Sequence, residues 1–334
     1  MTPCQPLSPT DVGLVLSYQC PNACKHCVYN CGPGWKDWFA PQDISPALQT
    51  IRTLNRDIQV HITGGEPFLN FPLLLQAVSA AHELHLPVYV ETSADWCVSA
   101  TIAEQRFTAL RKAGLLAVLI SCSPFHAETV PLKRTLLAIE VAVEIFGPES
   151  VIVYTSDWID QIWHFGLETP VSINQYVLAY GGETAGLMFW DGYGLISGGR
   201  AGYTLGRLKT HSPAEAFRGE DCRAELLFAP LSHLDPYGNF IPGFCGGLRA
   251  GSWQEMDTLR ANMQSGCYPA LLARLIEQGP YGLYLLAVER YHYLPLPAGY
   301  VGKCHLCVDV RRHLFHKAPA SFPELRPSEF YSQF

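Results

Sequence analysis

Short apolar runs alternate with longer stretches of helical period along the first part of the chain. Residues 12–17, 58–62, 87–92, 117–121, 151–155 and 193–197 are compact apolar runs bounded by polar or glycine-bearing segments, which predicts six strands. Between them, residues 42–56, 71–85, 100–112, 132–146 and 172–180 repeat apolar positions three and four apart, which predicts helices. The fourth of these shows the period well: Leu132, Leu136, Ile139, Val143 and Phe146 share a face, and Glu140 and Glu144 stand on another. Pro72 sits near a helix start, and Gly114 and Gly147-Pro148 stop two others. Strand and helix alternating in this way build an α/β fold, with a parallel sheet and functional sites at the carboxyl ends of the strands.

Beyond residue 205 the alternation stops. A chain of 334 residues that is 48% hydrophobic can bury a large core, and its length suggests about two domains. The expected boundary separates residues 1–205 from a smaller second domain, 206–334. A net charge of -7 supplies no basic field for phosphate backbones, so nucleic acid is not an expected partner. No apolar run approaches the ~20 residues that span a bilayer. The start, Met1-Thr-Pro-Cys-Gln-Pro6, lacks a basic segment followed by an apolar one. A cytoplasmic protein without membrane contact is expected. In a reducing compartment, 12 cysteines point to metal ligation rather than disulfides.

The chemistry is concentrated in two short segments. Cys20-Pro-Asn-Ala-Cys24-Lys-His-Cys27 follows the first strand and offers three thiols at spacing C-x3-C-x2-C. Three thiolates in one loop can hold three irons of a cubic iron–sulfur cluster and leave the fourth iron open; three buried thiols in a tight turn are the plainer alternative. Cys31 is a candidate fourth ligand, but it would close that iron, so a nearby buried thiol is the expected role. Thr63-Gly64-Gly65-Glu66-Pro67 ends the second strand. Its glycines admit backbone carbonyls close to an ammonium group, and Glu66 offers a countercharge. Taken alone it is an ordinary strand-to-helix turn.

Placed one strand–helix unit apart, the two motifs resemble those of the radical S-adenosylmethionine enzymes. The resemblance implies a partial (βα)6 TIM-like barrel and a [4Fe-4S] cluster on Cys20, Cys24 and Cys27. It places His26 near the adenine of S-adenosylmethionine, and Gly64, Gly65, Glu66 and Pro67 at the amino group of its methionine moiety. Ser121 and Ser123, after the fourth strand, become candidates for the ribose, although serines there are also common turn residues. Arg200, in Gly198-Gly199-Arg200-Ala201, is a candidate for the methionine carboxylate or the substrate, with a structural ion pair as the alternative. Glu91-Thr92-Ser93, after the third strand, is expected to look into the barrel.

The second domain returns to cysteine at positions 222, 245, 267, 304 and 307. Residues 231–245 read as a hairpin that delivers Cys245 beyond its second strand, and Cys304-His-Leu-Cys307 precedes a helix expected over 308–315. This part resembles the twitch extension, a shortened SPASM domain, although it has fewer closely spaced cysteines than the full pattern. The resemblance implies one auxiliary [4Fe-4S] cluster on Cys222, Cys245, Cys304 and Cys307. Cys267 is the spare candidate, and a zinc ion on the same four thiolates is the alternative. The 12 histidines include no H-x3-H pair, and packing accounts for most of the aromatic residues.

The function implied is reductive cleavage of S-adenosylmethionine to a 5'-deoxyadenosyl radical, which abstracts hydrogen from a substrate, in an oxygen-sensitive iron–sulfur enzyme. A peptide or protein side chain is the expected substrate and a small metabolite the alternative, with flavodoxin or ferredoxin as the kind of electron donor. No cobalamin-binding segment precedes the barrel, so cobalamin-dependent methyl transfer is not expected. A non-catalytic iron–sulfur or zinc scaffold is the rival. It would leave the Gly64-Gly65-Glu66 turn without a task.

Overall fold

The computed structural model describes residues 6–334; residues 1–5, with Cys4 and most of the chain start read above, lie outside the described residues. Two compact units divide the chain. The first comprises residues 10–24 and 31–180, and the second comprises residues up to Pro9, 25–30 and 181–334. The division falls after Tyr180 rather than at the expected 205, and it passes through the first cysteine loop.

In the first unit, β1 (Asp11–Val15), β2 (Gln59–Thr63), β3 (Val88–Thr92), β4 (Ala117–Ser121) and β5 (Val151–Tyr154) are parallel, in the order β5-β4-β3-β2-β1. Helices α1 (Ile44–Leu54), α2 (Phe71–Glu83), α3 (Ala100–Lys112), α4 (Pro124–Ala127), α5 (Leu132–Phe146), α6 (Ile159–Phe165) and α7 (Ile173–Tyr180) complete it. Strand register sorts the side chains into two unlike faces. One carries Val12, Leu14, Val60, Ile62, Val88, Val90, Val118 and Ile120, all buried, and α2 and α5 pack against these strands. Burial of each such side chain contributes roughly 1.5–3 kcal/mol. The other face carries Asp11, Gln59, His61, Thr63, Tyr89, Glu91, Leu119, Ser121, Ile152 and Tyr154. Ile152 and Tyr154 are 46% and 47% exposed, so this face remains open at its β5 edge.

The expected sixth strand at 193–197 does not form. After α8 (Gly182–Leu187) the chain makes a π-helical turn at Met188–Gly192 and then continues without forming a strand over 193–197. Gly194 adopts φ +76°, which breaks an extended run near its start. The parallel sheet of the first unit therefore has five strands among the described residues, not six.

In the second unit, α9 (Ala201–Leu205) and α10 (Arg223–Leu227) lead to the antiparallel strands β6 (Leu231–Leu234), β7 (Asn239–Pro242) and β8 (Gly251–Ser252). The buried Asp235 carboxylate holds the β6–β7 turn, accepting from the Tyr237 N–H at 3.0 Å and from the Asn239 N–H and amide at 2.9 Å each. Helices α11 (Met256–Ser265), α12 (Ala270–Tyr291) and α13 (Lys303–Lys317) follow, and α12 packs along α13. Helix α13 begins before the expected 308, so Cys304 and Cys307 lie within its first two turns and share a face with Arg311. Among the described residues no helix is long and apolar enough to cross a membrane.

Candidate functional site

The first cysteine loop is fixed from both ends of its hairpin-like path. Cys20 N–H donates to Gly32 O at 3.1 Å, Gly32 N–H to Tyr18 O at 3.1 Å, and the Trp38 indole to the Gln19 side chain at 2.9 Å. The turn after β2 lies directly on this path, with Gly65 N–H donating to Ser17 O at 2.7 Å and Glu66 N–H to Gln19 O at 3.0 Å. A Cβ on Gly64 would stand 2.2 Å from Ser17 O, and one on Gly65 would stand 1.9 Å from Gln19 O and 2.9 Å from the Cys20 Cβ. Both positions therefore require glycine so that backbone can lie against the cysteine loop. Cys31 is buried and its thiol donates to Gly64 O at 3.6 Å.

Glu66 is turned inward. Its carboxylate accepts from the Thr92 hydroxyl at 2.9 Å, the Phe68 N–H at 3.2 Å, the Ser93 N–H at 2.9 Å and the Ser93 hydroxyl at 2.6 Å. Burial pushes its pKa above the ordinary carboxylate value, against the lowering effect of these donors. The side chain thus ties the ends of β2 and β3 together and caps the short helix Pro67–Asn70, which starts with the buried Pro67. Asn22, between the first two cysteines, is also buried and donates to the Ser93 hydroxyl at 3.1 Å. It completes a chain Asn22–Ser93–Glu66 from the cysteine loop to the glycine turn. In the sequence Asn22 is marked only as a polar residue between two clustered cysteines.

Residues 25–30 are held within the second unit. The Tyr29 hydroxyl meets His233 Nδ1 at 2.9 Å and donates to Gly243 O at 3.2 Å, and the Asn30 amide donates to Phe330 O at 3.2 Å. Thr204 Oγ1 donates to Lys25 O at 2.7 Å, and Arg200 supplies its backbone N–H to Cys27 O at 3.1 Å. A Cβ on Gly199, whose φ is +55°, would stand 2.2 Å from Cys27 O, and one on Gly246 would stand 2.1 Å from Val28 O. The backbone of Cys27 and Val28 is therefore pinned by the glycine before Arg200 and by the glycine after Cys245. His26 meets Tyr193 edge-on, with ring centres 5.7 Å apart.

The four C-terminal thiols converge. Cys222, Cys245, Cys304 and Cys307 line one cavity of about 510 Å3, counted to its open mouth, together with Lys303 and Arg311. Burial raises Cys222, Cys245 and Cys304 first, and repulsion from neighbouring thiolates adds to it: Cys245 and Cys304 are each pushed up to about 12, and Cys222 rises further. Without a cation these thiols stay protonated, and a metal bound among them would displace the protons and hold them as thiolates. Cys267 is exposed and stands outside this cavity. Among the described residues no three His, Cys, Asp or Glu side chains are gathered as a single ion requires.

The serine candidates separate. Ser123 is buried and caps α4, accepting from the His126 N–H at 3.4 Å and meeting His126 Nδ1 at 2.8 Å. Burial brings His126 down to about 4. Ser121 ends β4 on the open face of the sheet, in register with Tyr154. On that face Asp11 accepts from His61 Nδ1 at 2.6 Å, Gln59 Nε2 at 2.8 Å and the Tyr89 hydroxyl at 2.9 Å. Burial alone would raise Asp11 and lower His61. The hydrogen bonds and charge of His61 instead hold Asp11 below the usual range, and the charges of Glu91 and Asp11 hold His61 above it. A charged pair thus closes the amino-terminal end of this face, and Thr63, Glu91, Ser121 and Tyr154 stand toward the carboxyl end, where Thr63 donates to Glu91 at 2.6 Å.

No protein-family model matches the sequence, and no curated protein does. Among solved structures, the chain is similar to BtrN in complex with AdoMet and 2-DOIA, at 14% identity over 81% of this chain and 89% of that one, with a TM-score of 0.46. It is also similar to Streptococcus suis SuiB bound to S-adenosylmethionine, at 15% identity over 80% and 67%, TM-score 0.44. A third is native anSMEcpe with bound AdoMet and Cp18Cys peptide, at 13% identity over 94% and 97%, TM-score 0.43. At these values the functional reading rests on the residues themselves.

Proposed function

We propose that this chain is a radical S-adenosylmethionine enzyme that carries a second iron–sulfur cluster in its C-terminal unit. The observation that carries the reading is the packing of the Gly64-Gly65 turn on the backbone of Ser17 and Gln19 and on the Cys20 Cβ. A loop that only buried three thiols would not need a neighbouring turn stripped of both Cβ atoms. Cys20, Cys24 and Cys27 would hold a [4Fe-4S] cluster with one open iron, which would pass one electron from an external reductant for cleavage of S-adenosylmethionine to methionine and a 5'-deoxyadenosyl radical.

The chain's own residues bind and orient. Gly64 and Gly65 bring backbone beside Cys20, where their carbonyls can receive an ammonium group. Glu66 acts one step back: its four hydrogen bonds set the turn that presents those carbonyls. Ser121 and the open face of the sheet, with Glu91 and the half-exposed Tyr154, lie at the carboxyl ends of β3, β4 and β5, where a substrate is received in folds of this type. His26 and Arg200 remain assigned to the adenine and to a carboxylate on the motif resemblance alone.

In the second unit, Cys222, Cys245, Cys304 and Cys307 hold the auxiliary cluster. Their shared cavity supports this. A peptide or protein side chain is the proposed substrate, on the resemblance of this extension, with a small flavodoxin- or ferredoxin-like carrier as electron donor. The test is binding of S-adenosylmethionine to anaerobically reconstituted protein. Saturable binding that is lost when Cys24 is replaced by alanine supports the reading, and binding that survives the replacement opposes it.

A further inference from the structure

The two cations at the C-terminal cavity are not alike. Lys303 is paired, its Nζ 2.7 Å from Glu225 and donating to Asp221 O at 3.0 Å. Arg311 is not paired with a carboxylate. It is 3% exposed, and its Nη1 donates to Gly246 O at 3.0 Å and to the Tyr331 hydroxyl at 3.1 Å. Its Nε has no oxygen or nitrogen partner, and the guanidinium faces Cys307 and Cys245. Tyr331 is itself fixed, donating to Gly247 O at 2.6 Å and stacked on Phe315 at 4.8 Å. Its acceptors are two neutral oxygens and the Cys307 sulfur, none of them a carboxylate, and a buried guanidinium so placed is costly unless a negative centre lies beside it. The helical spacing of Cys304, Cys307 and Arg311 puts that charge on the face that carries two of the four thiols.

We propose that Arg311 is the resident counter-cation of the metal centre at Cys222, Cys245, Cys304 and Cys307, and that it holds the reduction potential of that centre up. The inference rests on the reading of these thiols as cluster ligands. Four thiolates around an iron–sulfide core leave the centre negative, and each added electron makes it more so. A fixed, buried positive charge beside the centre favours the reduced state. Arg311 is thus a positioning and tuning residue, and it ligates nothing.

The test uses the full chain with Cys20, Cys24 and Cys27 replaced by alanine, so that only the C-terminal site loads. After anaerobic reconstitution with iron and sulfide, the parent should carry about four irons. A redox titration followed by electron paramagnetic resonance should place Arg311→Met at a potential lower by at least ~59 mV, a tenfold change in the one-electron equilibrium. Arg311→Lys should fall less. Equal potentials in the parent and Arg311→Met, both with four irons, overturn the proposal. If Arg311→Met fails to load, Arg311→Lys is compared with Arg311→Gln, which is neutral and still able to donate to Gly246 O; equal potentials in that pair overturn it as well. A parent that binds no iron, or one zinc, would sink the underlying cluster reading instead.

Discussion

Gly65 and Cys20 share one packed contact, in which the missing Cβ of the glycine would fall 2.9 Å from the Cβ of the cysteine. The turn after β2 and the loop after β1 are therefore built as a single object. Gly65→Ala must push the turn away from Gln19 O, which a Cβ would approach to 1.9 Å. Overpacking of this kind costs about 1–3 kcal/mol. We expect a lower urea midpoint and at least tenfold weaker S-adenosylmethionine binding, with iron content retained. Unchanged affinity, measured by equilibrium dialysis, would remove the turn from the binding site.

Glu66 and Asn22 test the same object from behind. Glu66→Ala leaves Ser93 and Thr92 donors without their acceptor and should cost at least about 2 kcal/mol in urea unfolding. Asn22→Ala breaks only the link from Ser93 to the cysteine loop. It should speed iron loss to a chelator while leaving the fold intact by circular dichroism. Equal chelation rates for Asn22→Ala and the parent would count against Asn22 as an anchor.

The C-terminal cysteines should behave as a set. Reconstituted wild-type protein should hold about eight irons per chain, and Cys245→Ala about four. Cys267→Ala should match wild type, since that thiol is exposed and outside the cavity. Loss of iron on replacing Cys267 would redraw the ligand set.

The Asp11–His61 pair predicts a pH-dependent contribution. His61 is raised from 6.5 in the folded protein, so its share of stability is complete below 6.5 and is lost as pH climbs through the raised folded value. Asp11 is lowered from 3.8, so its share is present above 3.8 and is lost as pH falls through the lowered folded value. The stability gap between wild type and His61→Asn should be widest between 3.8 and 6.5, about 2 kcal/mol, and should narrow in alkali. Urea melts at about pH 5.5 and about pH 8.5 compare the two conditions. A gap that grows in alkali would contradict this assignment.

Much of this was legible in the sequence, because hydrophobic period and turn residues act locally. The five parallel strands and the helices between them follow their apolar runs to within a few residues, and the cysteine and glycine motifs fall at strand ends as read. The sixth strand misled because 193–197 is apolar yet glycine-broken at Gly194. Long-range contacts were not legible. Nothing local says that Glu66 turns inward to Ser93, that Gly199 and Gly246 pin Cys27 and Val28, or that the four distant cysteines line one cavity. Arg311 lies in between: its spacing from Cys304 and Cys307 was readable once α13 is known to begin at Lys303.

The central claim is radical chemistry on S-adenosylmethionine at the first cysteine loop. The most direct measurement is 5'-deoxyadenosine formation by anaerobically reconstituted protein with dithionite, followed by chromatography, with Cys24→Ala as the control. The account predicts that wild type forms 5'-deoxyadenosine and that Cys24→Ala forms none. Equal formation by both proteins, or none from wild type that holds its iron but does not bind S-adenosylmethionine, would contradict it.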